Sequence, residues 1–578
     1  MKNSMIKRFA ASVAVVASLA MVAAGCGNTA GSGTGSAGPA QTEPKDGYPT
    51  SYTGKYAMPA KDGVYNNTQD RDNLKDGGTY TYDSTYAPNW NYFNVDGTTA
   101  YMSDLWYWYM PTLALQDTKG NLKWNPDFVK SVTMKSTNPL VVEMTLADKA
   151  KWNDGSDMNW EDVKATWTVS NGKDEAYTPS STDGFKDIKS VERGDSDKQA
   201  IITFAKPFFP WQSLLTGLYP RMALDPKVFS NGWVDNPHNE WAAGPFVVAS
   251  HDKDQVVFER NPKWWGKPAK LDKVVVKFME AQAALNAFQN GETDKTEFTS
   301  GPSLKQVKGR KDAQIRYGYS KSTNVFTLNG TDKYLKDINV RKAFVQAMDT
   351  KTLTKIHYQG TDWVAAAPGS ELFPVFQEGY EDNRPKDSLY TGADKPKKTM
   401  EAAGYKMGKD GYFKDKEGKT VTFSYVYFGS TALANSLARA IQQMGKAAGL
   451  KIELDNRDSS KFVDTMNKHE YGVIGMGWSS PSPYSQVNVN QLYGSKSESN
   501  YTFVGSKEVD KLADIPGTIP DQLKAVKAAN KAEKAALALY GTMPTDVPPA
   551  YFAVKKGLAN VGPAGFLIVP PENIGWQK

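Results

Sequence analysis

The chain has a single cysteine in 578 residues, Cys26, and only four histidines, His238, His251, His357 and His469. One thiol excludes an internal disulfide. No two histidines lie within metal-ligand spacing, which argues against nickel. Gly-x-Ser-x-Gly, His-Glu-x-x-His and P-loop patterns are missing as well, so nothing encodes ATP binding or a familiar hydrolase. An excess of one charge is also lacking. Lys and Arg number 69 against 63 Asp and Glu, a net charge of +6 without an arginine-rich stripe, which does not suggest nucleic acid as a partner. With so many acids, some carboxylate pair will lie near any groove, so a glycosidase reading has no support of its own. No enzyme, cofactor or metal is expected.

No hydrophobic run reaches the roughly 20 residues of a membrane span. The longest, "FAASVAVVASLAMVAA" (9–24), follows Lys2, Lys7 and Arg8 and suits a signal-peptide core. "AAGC" (23–26) resembles a bacterial lipobox, with Ala23 where such boxes most often carry Leu. On that resemblance residues 1–25 are a signal peptide, and Cys26 receives diacylglycerol and becomes an acylated N-terminus. Several buried acyl chains make release slow. Residues 26–44, rich in Gly, Ser, Ala and Thr, read as a flexible tether. Without residues 1–25 the net charge is +3.

Aromatic residues are plentiful, with 15 Trp and 29 Tyr. Most are expected in cores, and a share suits a groove that binds by flat apolar faces. Strand and helix patterns alternate without a repeat. "GGTYTYDSTY" (77–86), "LVVEMTL" (140–146), "QAIITFA" (199–205) and "DKVVVKFM" (272–279) read as strands. "NWEDVKATWTV" reads as a helix start capped by Asn159. "AQAALNAFQNGE" (281–292) is a helix stopped at Gly291, and 339–358 reads as one long amphipathic helix. "TVTFSYVYF" (420–428), a helix over 431–449 and "LKIELDN" (450–456) form a β-α-β unit, so the class is α/β. A chain of this length implies two or three lobes.

Five stretches, in order, resemble one family. They are "AKWNDGSDMNWEDVKATW" (150–167), "AAGPFVVASHDKDQVVFERNPKWWGKPAKLDKVVVKF" (242–278), "LKDINVRKAFVQAMDTKTL" (335–353), "MEAAGY" (400–405) and "NYTFVGSKEVDKL" (500–512). The family is that of extracytoplasmic solute-binding proteins of the oligopeptide and dipeptide import class (family 5), which serve ABC transporters. Physical reasons accompany the motifs. Gly155 permits positive φ after Asp154, whose side chain can bond its own backbone two residues on. Pro262 ends the strand before it. Trp264 and Trp265 are expected to pack the lobe, and Arg341 to pair with an acid such as Asp337. Such landmarks identify a fold, not a ligand.

The resemblance implies a periplasmic-binding-protein-like fold (type II, large three-lobed class) with mixed sheets and a hinge between two main lobes. Lobe I would comprise residues 45–100, 221–320 and 545–578, lobe II 101–220, and lobe III 321–544. A peptide would lie between lobes I and III as an added strand, its side chains in roomy pockets. Partners implied by the family alone are two permease subunits and two cytoplasmic ATPases. The protein itself is expected to be a monomer on the extracytoplasmic face of the cell membrane.

Groove positions carried over from the family are "NVDGTT" (94–99), with Asp96, Gly97 and Thr98, and "IGMGWSS" (474–480), with Gly477, Trp478, Ser479 and Ser480. Trp90 lies where the family has a Leu-Asp-Pro turn and would offer a ring. Peptide-binding members place an aspartate three residues after the groove tryptophan, against the ligand's α-ammonium. Here that position is Pro481. Some relatives carry an arginine three residues before the tryptophan, and here it is Gly475. Either another acid serves, with Asp96, Asp455 and Asp458 as candidates, or the ligand has no free amine there. The ligand is therefore expected to be an oligopeptide, with an oligosaccharide or another solute lacking a free α-amine as the alternative. Trp and Tyr platforms with the amides of "SQVNVNQLY" (485–493) would suit a sugar.

Overall fold

A computed structural model describes residues 66–578, other than 362, 364–367, 430, 459, 460 and 498, and for residues 463 and 467 the backbone alone. Cys26 and the segments expected to be a signal peptide and a tether lie outside the described residues.

Alternating side chains build the sheets. Strand Leu140–Leu146 buries Leu140, Val142, Met144 and Leu146 completely and turns Val141, Glu143 and Thr145 outward. Each such buried side chain contributes about 1.5–3 kcal/mol relative to exposure. This strand lies in a four-stranded antiparallel sheet with Val129–Thr137, Gln199–Phe204 and Ile188–Arg193. Helix Trp160–Ser170 covers it, and Asn159 forms a capping box with Asp162 at its start.

A seven-stranded mixed sheet takes the order Ala313–Tyr319, Pro549–Lys555, Lys295–Phe298, Thr79–Ser84, Lys273–Phe278, Gln255–Arg260, Phe246–His251. The chain therefore leaves this sheet, folds elsewhere, and returns with Pro549–Lys555 between the edge strand Ala313–Tyr319 and Lys295–Phe298. Helix Ala281–Asn290 packs on it and ends at Gly291, whose φ of +81° suits a residue without a β-carbon.

The excursion forms a five-stranded sheet in the order Lys451–Arg457, Thr422–Phe428, Val473–Ser479, Ser322–Leu328, Thr542–Asp546. Thr422–Phe428 and Lys451–Arg457 are parallel neighbours joined through helix Ala432–Ala447, the β-α-β unit expected. The long helix expected over 339–358 is two helices, Ile338–Ala347 and Thr350–His357. The break comes at Asp349. Met348 turns extended, and the Asp349 carboxylate accepts from the Thr352 N–H at 3.2 Å and from its hydroxyl at 2.7 Å. An aspartate in that role caps a new helix and ends the old period.

The landmark residues serve the scaffold. Gly155 has φ +92° and the Asp154 carboxylate accepts from Ser156 N–H at 2.8 Å. Trp264 and Trp265 pack on Phe128. Arg341, expected to pair with Asp337, instead donates to the carbonyls of Leu335, Lys336 and Leu539. Asp337 is occupied by the Asn339 N–H and the Tyr405 hydroxyl, so the guanidinium is satisfied by backbone oxygens in a buried position.

Candidate ligand-binding site

Two chain segments connect the seven- and five-stranded sheets, and they run side by side. Ala313–Tyr319 continues through Ser320 and Lys321 into Ser322–Leu328, and Thr542–Asp546 continues through Val547 and Pro548 into Pro549–Lys555. The strands on each side are antiparallel neighbours, with Tyr319 opposite Pro549 and Asn324 opposite Asp546. Between them the Ser320 N–H donates to the Pro548 carbonyl at 3.2 Å. Two short adjacent crossovers with few ladder bonds are where two lobes can bend as rigid bodies. The lobe of the four-stranded sheet touches that of the five-stranded sheet in this structure: the Phe209 N–H donates to the Gly517 carbonyl at 2.9 Å.

Beside this joint, strand Val473–Ser479 has one edge only partly paired. On one side it matches Ser322–Leu328 along its whole length, from Ser322–Ser479 to Leu328–Val473. On the other, its pairing to Thr422–Phe428 stops at Val426–Ile474. Antiparallel ladders alternate which residues bond which neighbour. Asn329 N–H donates to Gly472 and Ser480 N–H to Lys321, both at 2.8 Å, which sets the even-numbered residues of this strand toward Ser322–Leu328. Past the last pair, Gly477 and Ser479 therefore aim N–H and C=O at the open edge, and Gly475 its C=O. Gly475 is exposed, and a β-carbon there would lie 2.8 Å from the Tyr425 hydroxyl. Glycine keeps the edge accessible. Trp478 is half-buried between two apolar clusters, one around Phe373 and Val489 and the other around Val325 and Met476.

Other carried-over positions are already committed. The Ser480 hydroxyl donates to the Glu371 carbonyl at 3.0 Å, and with its N–H on Lys321 it has no donor left for a ligand. Trp90, expected to present a ring to the groove, is 2% exposed. Its ring meets Tyr109 and His251 edge-on at 5.7 Å, inside the core of the seven-stranded lobe. Gly97, expected to pair its backbone with ligand, donates its N–H to Asn94 and accepts from Thr99 at its carbonyl. It is glycine for packing: a β-carbon would lie 2.0 Å from the Asn91 oxygen. The Thr98 hydroxyl bonds the carbonyls of Tyr92 and Asn94 within the same turn. Val95 N–H donates to Thr178, so this turn is joined to the lobe of the four-stranded sheet. Asp96 is exposed. No hydrogen bond among the described residues links 94–98 to 475–480.

The two other acids proposed as amine anchors lie on or just past the edge strand Lys451–Arg457. Asp455 is engaged by Arg457 at 2.7 Å, and Asp458 is exposed past the end of an edge strand. An acid that sequence reasoning missed lies at the joint. Asp546 Oδ1 accepts from Asn324 Nδ2 (2.9 Å) and the Tyr358 hydroxyl (2.5 Å), and Oδ2 is 3.8 Å from His357 Nδ1. Burial pushes this carboxyl up, but the bond and charge of His357 with the Tyr358 and Asn324 bonds prevail and hold it below the usual range. Glu371, beneath Ser480, is pushed up to about 8 by burial, although the Thr542 hydroxyl donates to it at 2.5 Å. The only sequence signals for these acids are a strand end before the "VPP" of 547–549 and a polar break at 369–371. Among the described residues no group of three or more His, Cys, Asp and Glu is placed to hold a metal ion. No helix there is long and apolar enough to cross a membrane.

Two α/β lobes joined by paired crossovers, with an open backbone edge beside the joint, define a hinged solute-binding protein of the periplasmic-binding type. Residues 123–500 match the sequence model of bacterial extracellular solute-binding proteins, family 5 (middle region). The chain belongs to this family, which provides the binding proteins of ABC importers. It is 28% identical over 521 residues to the oligopeptide-binding protein OppA of Mycobacterium tuberculosis H37Rv, covering 89% of this chain and 87% of that protein. Among solved structures, the periplasmic EDTA-binding protein EppA superimposes with a TM-score of 0.80 at 23% identity, over 89% of this chain and 98% of that one. Bacillus subtilis AppA in complex with a nonapeptide gives a TM-score of 0.69 at 20% identity, over 87% and 100%.

Proposed function

We propose that the protein captures oligopeptides between the lobes of the seven- and five-stranded sheets and delivers them to an ABC permease. A lipid on Cys26 would hold it to the extracytoplasmic face of the membrane. The observation that carries the peptide reading is the open edge from Gly475 through Gly477 to Ser479 beside the joint. An extended peptide pairs its main chain with such an edge, which gives affinity with little demand on side chains. The similarity to an oligopeptide-binding protein supports the same reading. On it, residues 45–100, 221–320 and 545–578 form lobe I, 101–220 lobe II and 321–544 lobe III, with bending at Ser320–Lys321 and Val547–Pro548.

One observation favours a second reading. Pro481 occupies the place of the amine-anchoring acid and is exposed, so a solute without a free α-amine, an oligosaccharide included, would fit the same cleft. Mass spectrometry of small molecules released from the purified protein separates the two. Peptides, returned unaltered after incubation, are the expected outcome. Release of oligosaccharides alone would overturn the peptide reading, and cleaved peptides would overturn the reading as a binder. Cys26→Ala is expected to move the protein from the membrane fraction to the medium.

A further inference from the structure

Lys321 lies in the first crossover, between the two sheets. Its carbonyl accepts from Ser480 N–H, so Lys321 and Ser480 face each other across the ladder. Their side chains leave on the face that carries Trp478, two residues before Ser480. The Lys321 Nζ reaches to 6.0 Å from the centre of the Phe566 ring. That is the outer limit of a cation–π contact.

Phe566 marks the place where the parts of the molecule meet. Its ring is edge-on to Phe376 at 5.1 Å, and its N–H donates to the Thr118 carbonyl at 3.2 Å. Close by, a β-carbon on Gly120 would lie 3.0 Å from Phe566 and 2.6 Å from Pro483. The ammonium therefore stands where the crossover, the C-terminal tail, the 114–124 hairpin and the segment after Ser480 converge.

Among the described residues this cation has no counter-charge. Lys321 makes no ion pair and no hydrogen bond through Nζ among the described residues, and no carboxylate acts on it. It lies deep in the molecule yet is still partly open to solvent, and burial alone holds its pKa below the ordinary lysine value. The other deep cations of this region are satisfied. Arg316 donates to the carbonyls of Val561 (2.6 Å) and Leu558 (2.5 Å), and Lys295 bonds Glu297 at 2.7 Å. An ammonium withdrawn from water without an acid is costly, and the group that relieves it is an anion.

The neighbourhood agrees in sign. The Ser480 end of the open edge is where a carboxylate would hold an α-ammonium, and there the chain has Pro481 and the unpaired Lys321 instead. We propose that Lys321 receives a carboxylate of the ligand, so that the protein selects peptides by a free C-terminal carboxylate seated at the Ser480 end of the edge. This rests on the peptide reading above. Lysine suits the task as a compact point charge with three donors.

The test uses a pool of pentapeptides without Asp or Glu, prepared with free C-terminal carboxylates and, separately, as C-terminal amides. Titration calorimetry on the purified protein is expected to show the free acids binding at least about tenfold tighter than the amides, as charge-assisted bonds do. Lys321→Met is expected to abolish that difference by weakening the free acids alone, and Lys321→Arg to retain most of it. Because the methionine variant loses an unpaired buried charge, its melting temperature is expected to equal or exceed that of the wild type. Equal affinity of acids and amides for the wild type, or an undiminished preference in Lys321→Met, would overturn the assignment while leaving the peptide reading intact. If neither pool binds, the peptide reading fails and the assignment to Lys321 falls with it.

Discussion

Gly477→Pro tests the open edge directly, because proline removes one N–H and changes little else there. In the ladder Gly477 faces Asn324 without exchanging bonds with it, since the bonded pairs are Thr323–Trp478 and Val325–Met476. The residue is extended, and proline is tolerated at edge positions whose N–H points away from the ladder. The fold should therefore keep its ladder bonds, and the melting temperature without ligand is expected to stay near that of the wild type. Binding is different. A peptide carbonyl that would accept from Gly477 is left buried without a donor, at a cost of about 1–3 kcal/mol. That is a factor of ~5 to ~150 in Kd. Met476→Pro is the contrasting variant: it removes a ladder bond to Val325 and is expected to lower the melting temperature sharply. Calorimetry with a peptide that binds the wild type, together with melting curves, reads both effects. Unchanged affinity in a folded Gly477→Pro protein would refute strand addition at this edge.

Trp90→Ala leaves a large cavity in the core and is expected to cost about 3–5 kcal/mol of stability, with peptide affinity within a few-fold in the folded protein; melting and calorimetry check the two parts. Glu371, pushed up to about 8 from the ordinary 4.5, keeps its proton in the native state where the unfolded chain has lost it. Its contribution to stability is thus full below about pH 4.5 and declines as pH rises toward about 8, and Glu371→Gln is expected to flatten that part of the profile of melting temperature against pH. Asp546 is held below its ordinary 3.8, so its contribution is present above that value and disappears as pH falls below it. Asp546→Asn is expected to lose about 1.5–3 kcal/mol at neutral pH, with the gap from wild type closing in acid when both are melted side by side. With Pro481 in place of an acid and the ligand's carboxylate at that end, N-acetylated and free forms of a bound peptide are expected to differ by no more than a few-fold in calorimetry, and a loss of about tenfold or more on acetylation would refute this by placing the amine on an acid elsewhere in the cleft.

Local pattern carried the scaffold far. The alternation in Leu140–Leu146, the cap at Asn159 and the stop at Gly291 each arise from residues within a few positions of one another, and each stands in the structure as read. The break at Asp349 was local too, since an aspartate three residues before Thr352 is an N-cap signal inside an otherwise continuous helical period. Trp90 and Arg341 were misread for another reason. A tryptophan in a turn has the same sequence whether its ring faces a groove or Tyr109. A guanidinium beside Asp337 does not announce that carbonyls from 335, 336 and 539 will reach it first. The candidate site was legible only as a segment, 474–480. Which of its residues are already bonded depends on partners 100 or more positions away, Glu371 and Lys321 among them.

The division of labour in this molecule follows from where its charges end. Glu533 is buried among donors, bonding the Ser370 hydroxyl, the Asn383 amide and the Tyr493 hydroxyl, and Arg316 and Arg341 are enclosed by carbonyls. These groups are satisfied inside one lobe, so they are indifferent to what arrives between the lobes, and they fix two rigid bodies. At the joint the pairing is incomplete. Among the described residues the outward main-chain groups of Gly477 and Ser479 have no neighbouring strand, and Lys321 has no acid. Unpaired polar groups in a closing cleft penalise closure in the absence of a ligand and favour it when a ligand supplies the missing partners. On the peptide reading proposed above, affinity then follows from groups that every peptide backbone can satisfy, and preference from the charge proposed to act at the Ser480 end.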